Sequence, residues 1–245
     1  MTRIAFISDI HSNYEALTAM LARLDREGYD MLICLGDIVG YGANPNECVS
    51  LIREREIPCA LGNHDEYVTL LMDPSIGKLR EDIQHAISWT QSQLSMDALK
   101  WLAMLPKRLE VEGEFIALHS SFAAGRWAYC RNEESFAANF ERQPCRLAFC
   151  GHSHTPLIGV EVPGYAPFVD FIHDGPIPQT GKVMVNVGSV GQPRDHNPYS
   201  CACIYELETG NLQLIRERYD IAAAQAKIRA AGLAERFALR LGVGR

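Results

Sequence analysis

The stretch Leu35-Gly36-Asp37-Ile38-Val39-Gly40-Tyr41-Gly42 follows an apolar run, Met31-Leu32-Ile33-Cys34-Leu35, and places a carboxylate where that run gives out. Glycines at 36, 40 and 42 let backbone come close to whatever Asp37 holds. The same event recurs at four other places. Ile4-Ala5-Phe6-Ile7 runs into Ser8-Asp9-Ile10-His11, and Ile57-Pro58-Cys59-Ala60-Leu61 into Gly62-Asn63-His64-Asp65. Phe115-Ile116-Ala117-Leu118 ends at His119-Ser120, and Leu147-Ala148-Phe149-Cys150 at Gly151-His152-Ser153-His154. Short unbroken apolar runs read as strands buried on both faces. In open α/β sheets, ligands bind outside the carboxyl ends of the strands. Chance placement would scatter Ser, Thr, Lys and Glu among those ends. Five runs that all end in Asp, Asn or His are what a shared metal site requires.

Helices fit between the first runs. Ser12-Asn13-Tyr14-Glu15 has the spacing of a capping box. It predicts a helix with Leu17, Met20, Leu21 and Leu24 on one face and a stop at Gly28. Asn44-Pro45-Asn46-Glu47 combines an N-cap, a proline at the first helical position and an acidic third residue, and turns Cys48, Leu51 and Ile52 inward. The first ~65 residues therefore read β-α-β-α-β, the alternation of parallel strands joined by crossover helices.

Further along, Asp73-Pro74-Ser75 marks a turn. Ile83, Ala86, Ile87 and Leu94 predict a helix, and Ser95 caps another that runs to Leu105. Leu109-Glu110-Val111-Glu112, a turn at Gly113, and Glu114 to Leu118 read as a hairpin. A helix is expected over 133–142. Strands are expected over Leu157–Val162, Val183–Val187, Ala202–Leu207 and Leu212–Arg218, the last two joined by Glu208-Thr209-Gly210-Asn211. Residues 163–181, with four prolines and three glycines, are expected to form a long irregular loop. From Ile221 to Leu241 the chain is helical, with Ile221, Ala224, Ile228, Leu233, Phe237 and Leu241 on one face. Packing on the body of the protein is its expected role, a homo-oligomer contact the lesser one. With no repeat, low-complexity tract or linker, residues 1–245 are expected to form one domain, 221–245 being a C-terminal helix packed on it.

Composition narrows the class. An apolar fraction of 47% and a charged fraction of 22% are ordinary for a globular protein. A net charge of −7 disfavours long nucleic acid, which normally meets a basic surface. No apolar run reaches the length of a membrane span, and the first is too short for a secretory signal. Eight cysteines without a C-x-x-C pair read as free thiols of a cytoplasmic protein rather than disulfides or a zinc knuckle.

The polar strand ends collect as Asp9, His11, Asp37, Asn63, His119, His152 and His154. Imidazole, carboxylate and amide oxygen without thiolate suit Mn, Fe, Ni, Co or Zn, with Mn favoured. Seven ligands exceed the three that a catalytic zinc takes beside its water, and suit two metals sharing one bridging carboxylate. A central position and two oxygens favour Asp37 as the bridge. Asp9, His11 and His154 then complete one site, and Asn63, His119 and His152 the other. Trp89, Trp101 and Trp127 read as packing residues, and His85, His173 and His196 as surface histidines.

Asp9-x-His11, Gly36-Asp37, Gly62-Asn63-His64-Asp65, His119 and Gly151-His152-x-His154 resemble, in order and spacing, the five motifs of the calcineurin-like metallophosphoesterase superfamily. The resemblance spans roughly residues 4–190. It implies an α/β fold, a four-layer αββα sandwich of two mixed sheets flanked by helices. It implies the metal assignments above, with His64 acting on the substrate phosphate or protonating the leaving oxygen. Two cations ~3.5–4 Å apart would clamp the attacking and leaving oxygens, with a metal-held hydroxide attacking phosphorus. The protein phosphatases of this superfamily carry an arginine after the Gly-Asp motif, where this chain has Val39-Gly40-Tyr41-Gly42. Gly36–Pro45 and Asn186–Asp195 are similar to a small prokaryotic phosphodiesterase-like branch. Arg194 is the residue expected to grip a phosphate, with Asn13 or Tyr41. The expected activity is a phosphodiesterase acting on a small phosphate ester or nucleotide. A phosphomonoesterase, a dinucleoside polyphosphate hydrolase and a metal-binding scaffold are the alternatives.

Overall fold

Alternation along the first strand assigns its two faces to different layers. In the computed structural model, which describes residues 1–70, 74–111, 113–125 and 127–245, β1 (Arg3–Ile7) places Ile4 and Phe6 in one apolar cluster and Ala5 and Ile7 in another. That split is the period-2 geometry of a strand covered on both sides. β1 runs parallel to β2 (Met31–Cys34) and antiparallel to β10 (Ser200–Glu206); β11 (Asn211–Glu217) and the short β8 (Gly175–Pro176) continue the sheet. The second sheet has the order β3 (Arg108–Val111), β4 (Phe115–Leu118), β5 (Leu147–Cys150), β9 (Val183–Val187), β6 (Pro156–Val160), β7 (Phe168–Phe171), with β4, β5 and β9 parallel.

The sheets meet through aromatic rings. Phe6 stacks on Phe149 with centroids 4.0 Å apart, and Phe115 stands edge-on to both at 5.4 and 5.3 Å. Such pairs contribute about 0.5–1.5 kcal/mol each beyond the area they bury. The outer face of the first sheet is covered by α1 (Tyr14–Glu27), α2 (Pro45–Glu54), α3 (Asn63–Thr69), α4 (Glu81–Gln93) and α5 (Met96–Ala103), through Leu17, Leu21, Ile52, Val68, Ile87 and Leu102. α6 (Glu133–Phe140) covers the second sheet through Phe136 and Phe140. The layers are therefore helix, sheet, sheet, helix, as expected. α7 (Ile221–Ala230) and α8 (Glu235–Leu241) share a further cluster with Tyr41 and Ala86.

Four local readings change. The cap of α1 is Asn13, whose Oδ1 accepts from the Ala16 N–H at 3.1 Å; Ser12 instead accepts from the Gly40 N–H. Ile57–Leu61 is reduced to one parallel bridge, Cys34 to Cys59. Pro58 has no N–H to extend a ladder, and beyond it the Leu61 N–H turns away to the Pro106 carbonyl. The loop 163–181 contains β7 and β8, which close one edge of each sheet. The C-terminal helix is two helices, broken at Gly232 with φ of +68°, yet Ala224, Ile228, Leu233, Phe237 and Leu241 are all buried as expected. The turn residue Asp73 and the hairpin residue Glu112 lie outside the described residues. All eight cysteines are free, and burial pushes Cys130 and Cys201 up to about 12. Among the described residues no helix is long and apolar enough to cross a membrane.

Candidate metal centre

The two sheets bring their carboxyl edges together. β1 and β2 end just before Asp9 and Asp37, β4 just before His119, and β5 just before His152 and His154. The join is direct: Asp9 Oδ2 accepts from the His152 N–H at 2.9 Å, and the Val190 and Gly191 N–H groups bond the Ser8 and Asp9 carbonyls. Asn63 and His64 arrive from the first turn of α3, whose cap is Gly62. Asp9, His11, Asp37, His152 and His154 all have φ between +50° and +66°. For non-glycine residues that conformation costs on the order of 1 kcal/mol or more each and gathers at functional sites.

Each imidazole is oriented from behind. Nδ1 of His11, His119 and His154 donates to the Val39, Leu35 and Gln192 carbonyls at 3.1, 2.9 and 2.7 Å; Nε2 of His152 donates to the Trp127 carbonyl at 3.0 Å. A donating ring nitrogen carries the proton, so the other nitrogen of a neutral ring presents its lone pair inward. Burial holds His11 and His154 well below the usual histidine range and takes His152 to about 3. For the rings held neutral the consequence is crowding of acceptors, with His11 Nε2 3.1 Å from His154 Nε2, while His119 Nε2 lies 3.1 Å from Asn63 Oδ1. Asp9 Oδ1 is buried without a hydrogen-bond donor and sits 3.2 Å from His154 Nε2. Converging lone pairs around an orphaned carboxylate oxygen fit a cation.

Electrostatics point the same way. Asp9, Asp37 and Asp65 are all fully buried and within one cluster. Burial raises Asp9 to about 6, opposed by His119, and burial with the charge of Asp37 raises Asp65 to about 7. For Asp37 burial opposes ionisation, but His119 and His64 outweigh it and hold the carboxylate well below its usual range. Burial also opposes charge on His119; Asp37 at 3.3 Å overrides that and raises it to about 9. Asp37 Oδ2 lies 3.3 Å from His119 Nε2 and 3.6 Å from His11 Nε2. Among the described residues three sets, Asp9–His11–His154, Asp37–His119–His152 and His11–Asp37–His64, each present ligand atoms within 4.8 Å of one another and can hold an ion.

The glycines of the organising stretch make room for this. A Cβ on Gly40, whose φ is +98°, would stand 2.7 Å from His64 Nδ1. One on Gly62 would overlap Asp37, whose Oδ1 accepts from the His64 N–H at 2.7 Å. Asp65, which has no role in the sequence reading, ties both segments: it accepts from the Ile38, Val39 and Gly62 N–H groups at 2.9, 3.2 and 3.1 Å. Its three-residue spacing from the Gly62 cap is the clue available in the sequence.

His64 is buried beside this cluster, its Nδ1 without a partner and its ring 5.0 Å from His11 and 4.4 Å from Tyr41; burial lowers it to about 4. Tyr41 lies 4.8 Å from the His11 ring. Arg194 is tied to the site by its N–H on the His154 carbonyl, and its guanidinium donates to Gln192 Oε1. Asp195 pairs with Arg216 and not with Arg194. Asn13 is committed to the scaffold, with its oxygen on Ala16 and its amide on the Gly191 carbonyl at 2.8 Å. Two residues with no sequence clue also reach the site. Tyr129 stacks on His152 with centroids 3.9 Å apart, and Trp127 combines its carbonyl bond to His152 with an indole N–H on Glu66. A cavity of about 290 Å³ opens beside His119, between Lys107, Phe122 and Trp127. His85, His173 and His196 are exposed, away from the ligand sets.

Comparison with known proteins agrees with this geometry. Residues 2–210 match the model of the calcineurin-like phosphoesterase superfamily domain. The uncharacterized protein MJ0912 of Methanocaldococcus jannaschii is 37% identical over 99% of this chain and 98% of its own. A crystal structure of a metallophosphoesterase from Sphaerobacter thermophilus is 36% identical, with a TM-score of 0.84 over 100% of this chain and 99% of that one. The hypothetical protein PH1004 of Pyrococcus horikoshii OT3 shares the fold at 22% identity, with a TM-score of 0.77 over 100% and 99% of the two chains.

Proposed function

Since the chain belongs to the calcineurin-like phosphoesterase superfamily and is a metal-dependent phosphoesterase, we propose that it hydrolyses a phosphodiester bond of a small phosphate ester or nucleotide at a binuclear centre. Asp9, His11 and His154 would hold one ion and Asn63, His119 and His152 the other, with Asp37 shared. The observation that carries this is the reach of Asp37 Oδ2 to both His11 Nε2, at 3.6 Å, and His119 Nε2, at 3.3 Å, one from each proposed ion site. Oxygen and imidazole donors without thiolate suit Mn, Fe, Ni, Co or Zn, and manganese is the ion of this reading. Bound divalent ions supply Lewis-acid polarisation of phosphoryl oxygens and a water acidified toward neutrality.

The remaining roles belong to the chain. His64, held against Asp37 by its own backbone N–H, faces the substrate and either binds a non-bridging oxygen or gives a proton to the departing alkoxide. Arg194 and Tyr41 border the same side and bind phosphate. The buried carbonyl anchors keep four imidazoles in one tautomer, so no reorientation is needed as charge grows on the phosphate. The cavity beside His119 gives room for the organic part of the ester. Residues 1–245 act as one domain in this reading, supported by the burial of α8 against Tyr41. Eight free cysteines support the reducing cytoplasm as its location.

Manganese-loaded protein is expected to turn over bis-p-nitrophenyl phosphate faster than p-nitrophenyl phosphate. Faster monoester hydrolysis would replace the diesterase reading with a phosphomonoesterase one. No turnover of either, with any divalent ion in folded protein, would leave a metal-binding scaffold.

A further inference from the structure

The last helix, α8, brings a second arginine beside Arg194. Gln192 Oε1 accepts from Arg194 Nη2 and from Arg240 Nη1, each at 2.8 Å. The two donating nitrogens can therefore be no further apart than twice that distance. Arg240 spends its Nε on the Arg245 carbonyl, and Arg194 Nε is buried without a partner. Of the neighbouring carboxylates, Asp195 pairs through its Oδ2 with Arg216 while its Oδ1 is buried without a partner, and Asp82 is held by Arg236 one turn before Arg240 on α8. Among the described residues no Asp or Glu side chain forms an ion pair with either guanidinium.

Two cations gathered on one neutral amide oxygen repel each other unless an anion joins them. Burial, with the charge of Arg194, draws Arg240 down to about 10, the direction that an unneutralised neighbour produces. The pair is wired to the catalytic side. Tyr41 contacts Phe237 of α8 at 5.0 Å on one side and His64 at 4.4 Å on the other, and Arg194 follows the His154 anchor Gln192 by two residues. Nothing in the hydrolytic reading uses Arg240.

We propose that Arg194 and Arg240, joined through Gln192, form an anion subsite that receives a second phosphate of the substrate, beyond the one being cleaved. The substrate class is then a small ester of a pyrophosphate or longer phosphate chain. Guanidinium forks suit phosphate oxygens, and a neutral tether positions them without cancelling their charge. This rests on the phosphoesterase reading above, and deepens it.

The test compares methylenediphosphonate with methylphosphonate, binding to manganese-loaded full-length protein by calorimetry after removal of free metal. Wild type should prefer the diphosphonate. Arg240→Met should reduce that preference at least tenfold, and Arg240→Lys should restore part of it. Gln192→Glu, which supplies an internal carboxylate to both guanidiniums, should abolish it even if Arg240→Met folds poorly. Arg229→Met, which removes an exposed arginine paired with Glu235 on α7 and α8, should leave it intact. A wild-type preference that survives both Arg240→Met and Gln192→Glu, or no preference in wild type, overturns the proposal. Because binding is read without turnover, a protein inactive on all esters would defeat the hydrolytic reading while the diphosphonate preference still decided for or against the subsite.

Discussion

His11 Nε2 and His154 Nε2 face each other at 3.1 Å inside the protein, each on a ring whose Nδ1 proton is already given to a backbone carbonyl. The two sheets are thus closed around nitrogens that repel until a cation sits among them. Divalent metal should therefore stabilise the fold as well as activate it. At a hundredfold excess over Kd each filled site adds about 2.7 kcal/mol. Differential scanning fluorimetry with manganese should show Tm rising by several degrees, and His154→Ala should shrink the rise. An unchanged Tm with every divalent ion would count against an ion between these rings.

Asp37→Asn removes the charge that the proposed centre shares between its two ions. Partners that merely support ligands are worth about 10–100-fold in metal affinity, so losing a shared carboxylate should cost more. Metal content by mass spectrometry and turnover should fall together. Full occupancy at wild-type affinity in the variant would remove Asp37 from the bridging position.

His64→Ala should separate binding from chemistry. His64 stands in a third set with His11 and Asp37, but neither ion of the proposed centre takes it as a ligand, so metal content should hold. Turnover should drop about 10²–10⁴-fold, the range for a lost general acid or charge-stabilising donor. A variant at full rate would show that the side chain has no part in the leaving-group step.

Gly40→Ala tests the same residue from behind. Its Cβ would meet His64 Nδ1 at 2.7 Å on a backbone with φ of +98°. A loss of about 1–3 kcal/mol in stability is expected from the conformation alone. Turnover should approach that of His64→Ala with metal still bound. Wild-type kinetics in the folded variant would mean that the ring is free to step aside.

Thiol titration reports on the interior. Burial raises Cys130 and Cys201 to about 12, and all the cysteines except Cys145 are buried. Native protein should react slowly with a disulfide reagent, Cys145 first, and denatured protein should release all eight thiols. Rapid native labelling of several cysteines would contradict the packing of both sheets.

The sequence by itself determined the strands and the polar residues that stand at their ends. Unbroken apolar runs such as Phe115–Leu118 can be buried on both faces only as inner strands, and a polar residue immediately beyond each run can only lie at a sheet edge. The positions of Asp9, Asp37, His119, His152 and His154 at the ends of their runs were legible for that reason. Ile57–Leu61 departed from it, since Pro58 left one bridge of an expected strand, and so did the first cap, where Ser12 was drawn to Gly40 and Asn13 took its place. Only the tertiary structure decided what stands behind and around the ligands. The Gln192 and Trp127 carbonyls, Asp65 between two loops, Tyr129 on His152, and Arg240 beside Arg194 come from segments far apart in the chain. Local periodicity carries nothing about such meetings, because they are set by how two sheets and the helices over them settle into contact.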